Sequence, residues 1–552
     1  MSSEGETAPK VAIGISFGNS YSSIAYTSGD SKAEVIANEL GDRQIPTVLS
    51  YVDGEEFQGT EAKSQLVRNP KNTVAYFRDF LGKDFKSIDP TNCHASAHPV
   101  DAENTISFQI KDTEADEQNT RTIHEITTRH LRRLASSATD YLGKKVNAAI
   151  ITIPSDFTDA QKDALNKAAT EAGLEVLQFI TEPVAALLAH DAKNNEDSTK
   201  DKNVVVADIG GTRTDIAIVA SRGGMYTVLA TAHDYELGGA QLDSALIDYA
   251  AKEFQKKNKT DPRTNDRSLA KLKLEAEAVK KSLSLGASAA FSIESLSDGI
   301  DFSLTVNRTR YENLAGKVFG SFTRLIESAV QKAGLDNLDI DEILLSGGTS
   351  HTPKIANNLQ SVFAESTVIA PSTNPAAVNP SELTVRGAAI QASLISEFEK
   401  EDVEQSTHPA VTVAPHLAKA IGVLVGDNEF VTLIDANTAV PVRRTAQLNA
   451  AEGDVLVKLC EGVSEIKVTQ EEVAPKEANG DDSDDDSDDE PEETREKVWK
   501  AGEVIAEAAV KDVKKGSKVE VQINVSADLS VQVIVREVGS KTGVRGTIEA
   551  SA

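Results

Sequence analysis

Two short segments of this chain carry residues whose types and spacing suit phosphate chemistry. Val11-AIGISFGNSYSSIAY reads as an apolar strand, a small-residue turn at Ser16–Ser20 and a second strand. Val204-VVADIGGTRTDIAIV repeats that scheme with its turn at Asp208–Thr214. Ser16 falls opposite Asp208 and Gly18 opposite Gly210, an offset of 192 residues. Turns with few Cβ atoms let backbone N–H groups approach phosphate oxygens. One such turn means little, because hairpins use glycine anyway. Two at domain-sized separation imply a duplicated pair of α/β lobes facing a cleft. No Gly-x-x-x-x-Gly-Lys-Ser/Thr run occurs, so this is not a P-loop.

The elements that must hold these turns are legible around them. Asn147-AAIITIP is a buried strand ended by Pro154, and Thr158 to Gln161 has capping-box spacing for a helix that closes at Gly173. Val176-LQFITEPVAALLAH follows as strand and apolar helix with Glu182-Pro183 at the joint. A carboxylate at such a corner suits metal or water, and equally a plain cap. A helix over Asn265–Leu285 shows two adjacent faces. Leu272, Ala276, Val279 and Leu283 recur at core spacing. Glu277, Lys280, Lys281 and Ser284 form the neighbouring face, which is a solvated ion pair if exposed and a wall for ribose and base if it lines a cleft. Ile343-LLSGGTSHTPKI supplies a further strand, a Gly347-Gly348 turn and a helix start.

The 552 residues suggest three or four domains on a loose prior of about 150 residues each. A net charge of −29 argues against a surface that grips nucleic acid as a whole. Fourteen acids and two bases between Glu471 and Glu496 account for −12, leaving −17 for the other 526 residues. Its core, Gly480-DDSDDDSDDEPEE, has nothing apolar to bury and reads as a disordered insertion, a solubilising loop or a contact for basic partners. Ser483 and Ser487, each followed by three acids, suit acid-directed kinases. Two distant cysteines, Cys93 and Cys460, form neither a disulfide framework nor a zinc cluster, and His94 and His98 beside Cys93 lack further ligands. The polar start and strand-length apolar runs point to a soluble cytosolic protein without a membrane span. Short basic clusters such as Lys256-Lys257 and Arg443-Arg444 have no interleaved aromatics and read as solvated faces, so no direct nucleic-acid contact is expected.

Taken in order, Gly14-ISFGNSYS, Phe179-ITEPVAALLA, Asp208-IGGTRTD, Leu237-GGAQLD, Glu277-AVKKSLS, Ser346-GGTSHTP and Val378-NPSELTVRGAAIQA resemble the heat-shock-70 chaperone family. The resemblance implies an actin-like nucleotide-binding domain over 1–396, with lobe I about 10–200 and lobe II about 201–396. It further implies a polar linker at 397–410 and a truncated β-sandwich over 411–552 that carries the acidic insertion 471–496 and no helical lid. ATP or ADP would meet Gly18, Asn19, Ser20 and Tyr21 on the first turn, with Arg78 beside them. Gly210, Gly211, Thr212, Arg213, Gly238 and Gly239 would meet it on the second. Glu277, Lys280, Lys281, Ser284, Gly347, Gly348, Thr349 and His351 would hold ribose and base.

The departures from the family pattern carry the functional expectation. The first-turn aspartate that organises metal and water is Ser16, the phosphate-contacting lysine is Arg78, and a glycine-threonine pair is Thr212-Arg213. The base-contacting arginine is His351 and a nearby aspartate is Ser381. Magnesium is therefore doubtful, and nucleotide binding with little or no hydrolysis is expected, since hydrolysis needs metal, placed water and charge stabilisation together. The polar linker should not dock to transmit a signal. These features resemble an atypical branch of the family that pairs stably with a J-protein of the zuotin type, associates with the ribosome through it, and assists a second ribosome-bound heat-shock-70 chaperone on nascent polypeptides. An active ATP-driven folding chaperone is the alternative. A sugar or acetate kinase on the same lobes leaves the C-terminal β-region unexplained.

Overall fold

Ile13, Ile15 and Phe17 lie on a strand buried on both faces, as the apolar run requires, and the glycine turn that follows folds the next strand back beside it. The computed structural model describes residues 10–28, 32–111, 119–193, 200–396, 398, 401–402, 415–425, 429–470, 493–540 and 542–549. The chain divides into two compact units, one of 1–219 with 228–406 and one of 220–227 with 407–552.

The first unit holds two sheets of matching plan. In lobe I the order is Glu175–Thr181, Ala148–Ile153, β1 (Ala12–Phe17), β2 (Tyr21–Thr27) and β3 (Ala33–Ile36). In lobe II it is Thr367–Ile369, Glu342–Ser346, Lys202–Ile209, Thr214–Arg222 and Met225–Asp234. The duplication reaches the register: Ser16 pairs with Thr152 and Asp208 with Ser346, each at the end of a parallel ladder. Both turns therefore leave the carboxyl ends of central strands, where open α/β sheets bind ligands.

Helices follow in chain order: α1 (Gly59–Ser64), α2 (Ile123–Leu142), α3 (Asp159–Glu171), α4 (Glu182–Lys193), α5 (Gly239–Asn258), α6 (Asp266–Leu285), α7 (Arg308–Leu314), α8 (Gly316–Lys332), α9 (Pro353–Val362) and α10 (Leu383–Ile395). The Thr158–Gln161 capping box opens α3, and Asn265 caps α6 by accepting from the Ser268 amide. Each lobe has its own core, one spanning Ile13 to Leu174 and the other Val205 to Ala370. The lobe boundary expected at 201–396 fails at its end. Val385 and Ala389 of α10 pack with Ala25, Ala33 and Val35, and Ala388 and Ala392 pack with Ile150, Ile180 and Ala185, so α10 belongs to lobe I. Its buried residues are apolar most of the way round, and nothing in such a helix names its partner.

In the second unit two four-stranded sheets share one core. Their orders are Glu429–Ile434, Ala420–Val425, Gly453–Gln470, Glu493–Val513 and Val442–Asn449, Lys518–Val525, Val531–Glu537, Val544–Ile548. Val519, Val521, Ile523 and Val525 point inward by strict alternation. The acidic insertion expected over 471–496 needs a corrected end. Glu493 pairs with Gln470 and Arg495 with Val468 in the backbone ladder, so strand pairing has claimed its last four residues. Residues 471–492, with Ser483 and Ser487, and most of the 397–410 linker lie outside the described residues. Among the described residues no helix is long and apolar enough to cross a membrane.

Candidate nucleotide-binding cleft

The two turns face each other across a cavity of about 500 Å³ in the first unit. The bonds that close them run from Gly18 N–H to Tyr21 O and from Gly210 N–H to Arg213 O. The tip amides of Asn19, Ser20, Gly211 and Thr212 are outside those closing bonds. Asn19 Nδ2 donates to Thr212 Oγ1 at 3.0 Å, joining the turns tip to tip. Gly211 sits so close to Ser20 that a Cβ there would collide with its hydroxyl. Gly347 holds φ at 83° under Ile209 O, a conformation and a space only glycine fits.

The sequence-selected residues line this cavity, Gly238 and Gly239 excepted. Those two are corrected to supporting positions: a Cβ on Gly238 would press on Gly211 O at 2.9 Å, and Ala240 takes the lining place. Lys280 donates to Gly239 O at 3.0 Å and to Asp243 at 2.8 Å. The polar face of α6 therefore forms one wall of the cleft.

On the cleft lining, the Tyr21 hydroxyl accepts from Lys63 Nζ at 2.6 Å and from Lys281 Nζ at 2.9 Å. Its hydroxyl donates to Glu277, which also pairs with Lys63 at 2.6 Å and Lys281 at 2.8 Å. Burial opposes the charge on Glu277, but Lys63, Lys281 and Lys280 outweigh it and hold the carboxyl well below its usual range. His351 Nε2 lies 3.0 Å from Asn379 Oδ1 and 3.2 Å from Ser381 Oγ, and burial lowers its pKa. The amide oxygen accepts, so Nε2 carries the hydrogen.

The floor is built from guanidinium and carboxylate groups. Arg78, 4% exposed, donates to Asp79 at 2.8 Å, to Glu182 at 3.1 Å and to Phe17 O at 3.3 Å. Arg213, 6% exposed, grips Asp215 through both carboxylate oxygens and reaches Asp156 at 2.8 Å. The Tyr235 ring covers the Arg213 guanidinium at 4.4 Å, while its hydroxyl donates to Asp156. Ser16 accepts from Thr384 at 3.1 Å, and Asp208 accepts from Ser346 at 2.8 Å. Burial pushes Glu182 up to about 8 against the pull of Arg78, and pushes Asp208 up to about 6.

Lys63, Asp79, Asp156 and Asp243 were not singled out by sequence reasoning. Lys63 sits on a helix of six residues, and its partner Glu277 is 214 positions away, so only the assembled cleft joins them. Asp79 adjoins Arg78 in sequence, but Asp156 meets Arg213 from 57 positions away, so folding alone brings that pair together.

The residues present fit a nucleotide. The cavity has the size of a small-molecule site, and two buried acceptors on its lining, Asn19 Oδ1 and Asp243 Oδ1, find no partner in the protein. Among the described residues no three His, Cys, Asp or Glu side chains are placed to hold a metal ion by themselves, and Asp215 and Glu182 each pair with an arginine.

Two duplicated lobes around a nucleotide-sized cleft, with an all-β second unit, define a class, and comparison with known proteins supplies its name. The Hsp70 protein family matches residues 12–481, and the chain belongs to that family. It is 43% identical over 539 residues to the ribosome-associated complex subunit SSZ1 of Saccharomyces cerevisiae, covering 97% of this chain and 99% of that protein. It is also 43% identical over 549 residues to a heat shock protein 70 homolog of Schizosaccharomyces pombe, covering 98% of this chain and 96% of the homolog. Against heat shock cognate 70 kDa protein 3 of Dictyostelium discoideum the identity is 30% over 456 residues, with 82% and 70% covered.

Proposed function

We propose that this chain is a nucleotide-holding subunit of a ribosome-associated complex, which binds ATP with little or no hydrolysis. In this reading it pairs stably with a J-protein of the zuotin type in the cytoplasm. Through that partner it reaches the ribosome and supports a second heat-shock-70 chaperone acting on nascent chains. The observation that carries the partnership is the end-to-end 43% identity to SSZ1, whose name states membership of that complex. The observation that carries weak hydrolysis is the cleft floor, where arginine pairs with the carboxylates that would otherwise orient water.

In this reading the glycine turns and tip amides cradle the phosphates, the α6 face and Asp243 take the ribose, and His351 borders the base. A bound nucleotide would add negative charge between the two turns, and residues of both lobes line its cavity. Hydrolysis needs in addition a base or dipole to place water at the γ-phosphate. Glu182 accepts from Arg78, and burial raises its pKa against that pull. Single-turnover hydrolysis tests this directly. The rate should fall about 100-fold or more below that of an ordinary heat-shock-70 chaperone assayed alongside, an added barrier of about 2.7 kcal/mol. A comparable rate would favour an active folding chaperone. Affinity purification from cytosol should yield a J-protein in equal amount, and recovery of the chain alone would refute the heterodimer.

A further inference from the structure

A divalent cation in a phosphate cleft neutralises charge and orients oxygens, and magnesium does so through several oxygen ligands or waters at near-octahedral geometry. In this cleft several carboxylate oxygens are already engaged. Both oxygens of Asp215 meet Arg213, Glu182 Oε1 meets Arg78, Asp208 accepts from Ser346, and Ser16 offers a hydroxyl that accepts from Thr384. A cation approaching Asp215 or Asp156 would compete with a guanidinium that is stacked on Tyr235 and forked onto both aspartates.

The same network leaves Arg213 Nη1 without a hydrogen bond. Arg213, which lines the cavity, spends Nε and Nη2 on hydrogen bonds to Asp215 and Asp156, whereas Nη1 is 3.9 Å from Asp79 Oδ1, an ion pair beyond hydrogen-bonding distance. A guanidinium held by two carboxylates with one N–H₂ edge open is a preorganised oxyanion donor, and its fork matches phosphate geometry. Burial raises the pKa of Glu182, which disfavours the charged form that would oppose an incoming anion.

We propose that Arg213, supported by Arg78, takes over the role of a metal ion in this cleft, so that the ligand is a nucleoside triphosphate free of divalent cation. This rests on the nucleotide reading above and adds a requirement that reading does not make. The test is titration of the full chain, stripped of nucleotide, with ATP by calorimetry in excess EDTA and again in excess Mg²⁺. The two dissociation constants should agree within about threefold. Affinity about tenfold or more weaker in EDTA would overturn the inference while leaving nucleotide binding intact. Binding in neither buffer would overturn both. Because the wild-type chain answers the question, folding of a variant does not enter. As a second measurement, Arg213→Gln should lose about tenfold or more in EDTA and regain part of it with Mg²⁺, since Asp215 and Asp156 are released. Unchanged affinity of Arg213→Gln in EDTA would count against the assignment.

Discussion

At the scale of single residues, Arg78 and Arg213 decide the character of the cleft, because each brings a permanent charge among buried carboxylates. Glu182 reports on that balance. Burial raises its pKa from 4.5 to about 8 despite Arg78, so between those values the folded chain holds a proton the unfolded chain has released. Stability from this group is therefore present below about pH 4.5 and declines as pH rises toward 8. Glu182→Gln, which keeps an acceptor for Arg78, should flatten the fall of the unfolding midpoint between about pH 5 and 8. Parallel pH profiles for variant and wild type would contradict the burial argument. The arginines and the glycine turns are legible from sequence because their types are unusual where they stand. Asp79 and Asp156 are not, because an aspartate is ordinary anywhere and gains meaning only when folding brings a guanidinium against it.

At the scale of elements, α6 has two roles on adjacent faces. Leu272, Ala276, Val279 and Leu283 are buried in the lobe II core, while Glu277, Lys280, Lys281 and Ser284 line the cavity. Leu272→Ala should cost about 2–5 kcal/mol in urea unfolding, whereas Lys281→Ala, whose side chain is 60% exposed, should cost about 0.5 kcal/mol and act on nucleotide release instead. Equal stability losses would mean that the faces are misassigned. The spacing of α6 makes this duality readable before folding. The path of α10 is a different matter. Gly387 lies so near Ala185 O that a Cβ would fall inside van der Waals distance of it, which sets how closely α10 crosses α4. Gly387→Ala should destabilise by about 1–3 kcal/mol through overpacking, read as a lower unfolding midpoint. Sequence marks this residue as a glycine in an apolar helix and gives no hint of the backbone it must pass.

At the scale of the whole molecule, the duplicated lobes are legible because strand, turn and strand recur 192 residues apart, and the second unit is legible as alternating strands. The inclusion of residues 220–227 in the second unit is not, since it depends on tertiary contacts that no local pattern encodes. The sequence joining the units, Glu397-FEKEDVEQSTHPA, is rich in acidic and polar residues, and the proposed function treats nucleotide as a stabiliser of the first unit alone. Scanning calorimetry gives that idea a magnitude. Ligand at 100 times its dissociation constant adds about 2.7 kcal/mol to the state that binds it. A unit of roughly 400 residues has an unfolding entropy of about 0.8 kcal/mol per degree at its midpoint, so ATP should raise that transition by about 3 °C. The transition of the second unit, rich in strand and lacking the cleft, should stay within about 0.5 °C. A common shift of both transitions, or a single merged one, would mean that nucleotide occupancy is felt across the chain and that the uncoupled scaffold is the wrong description.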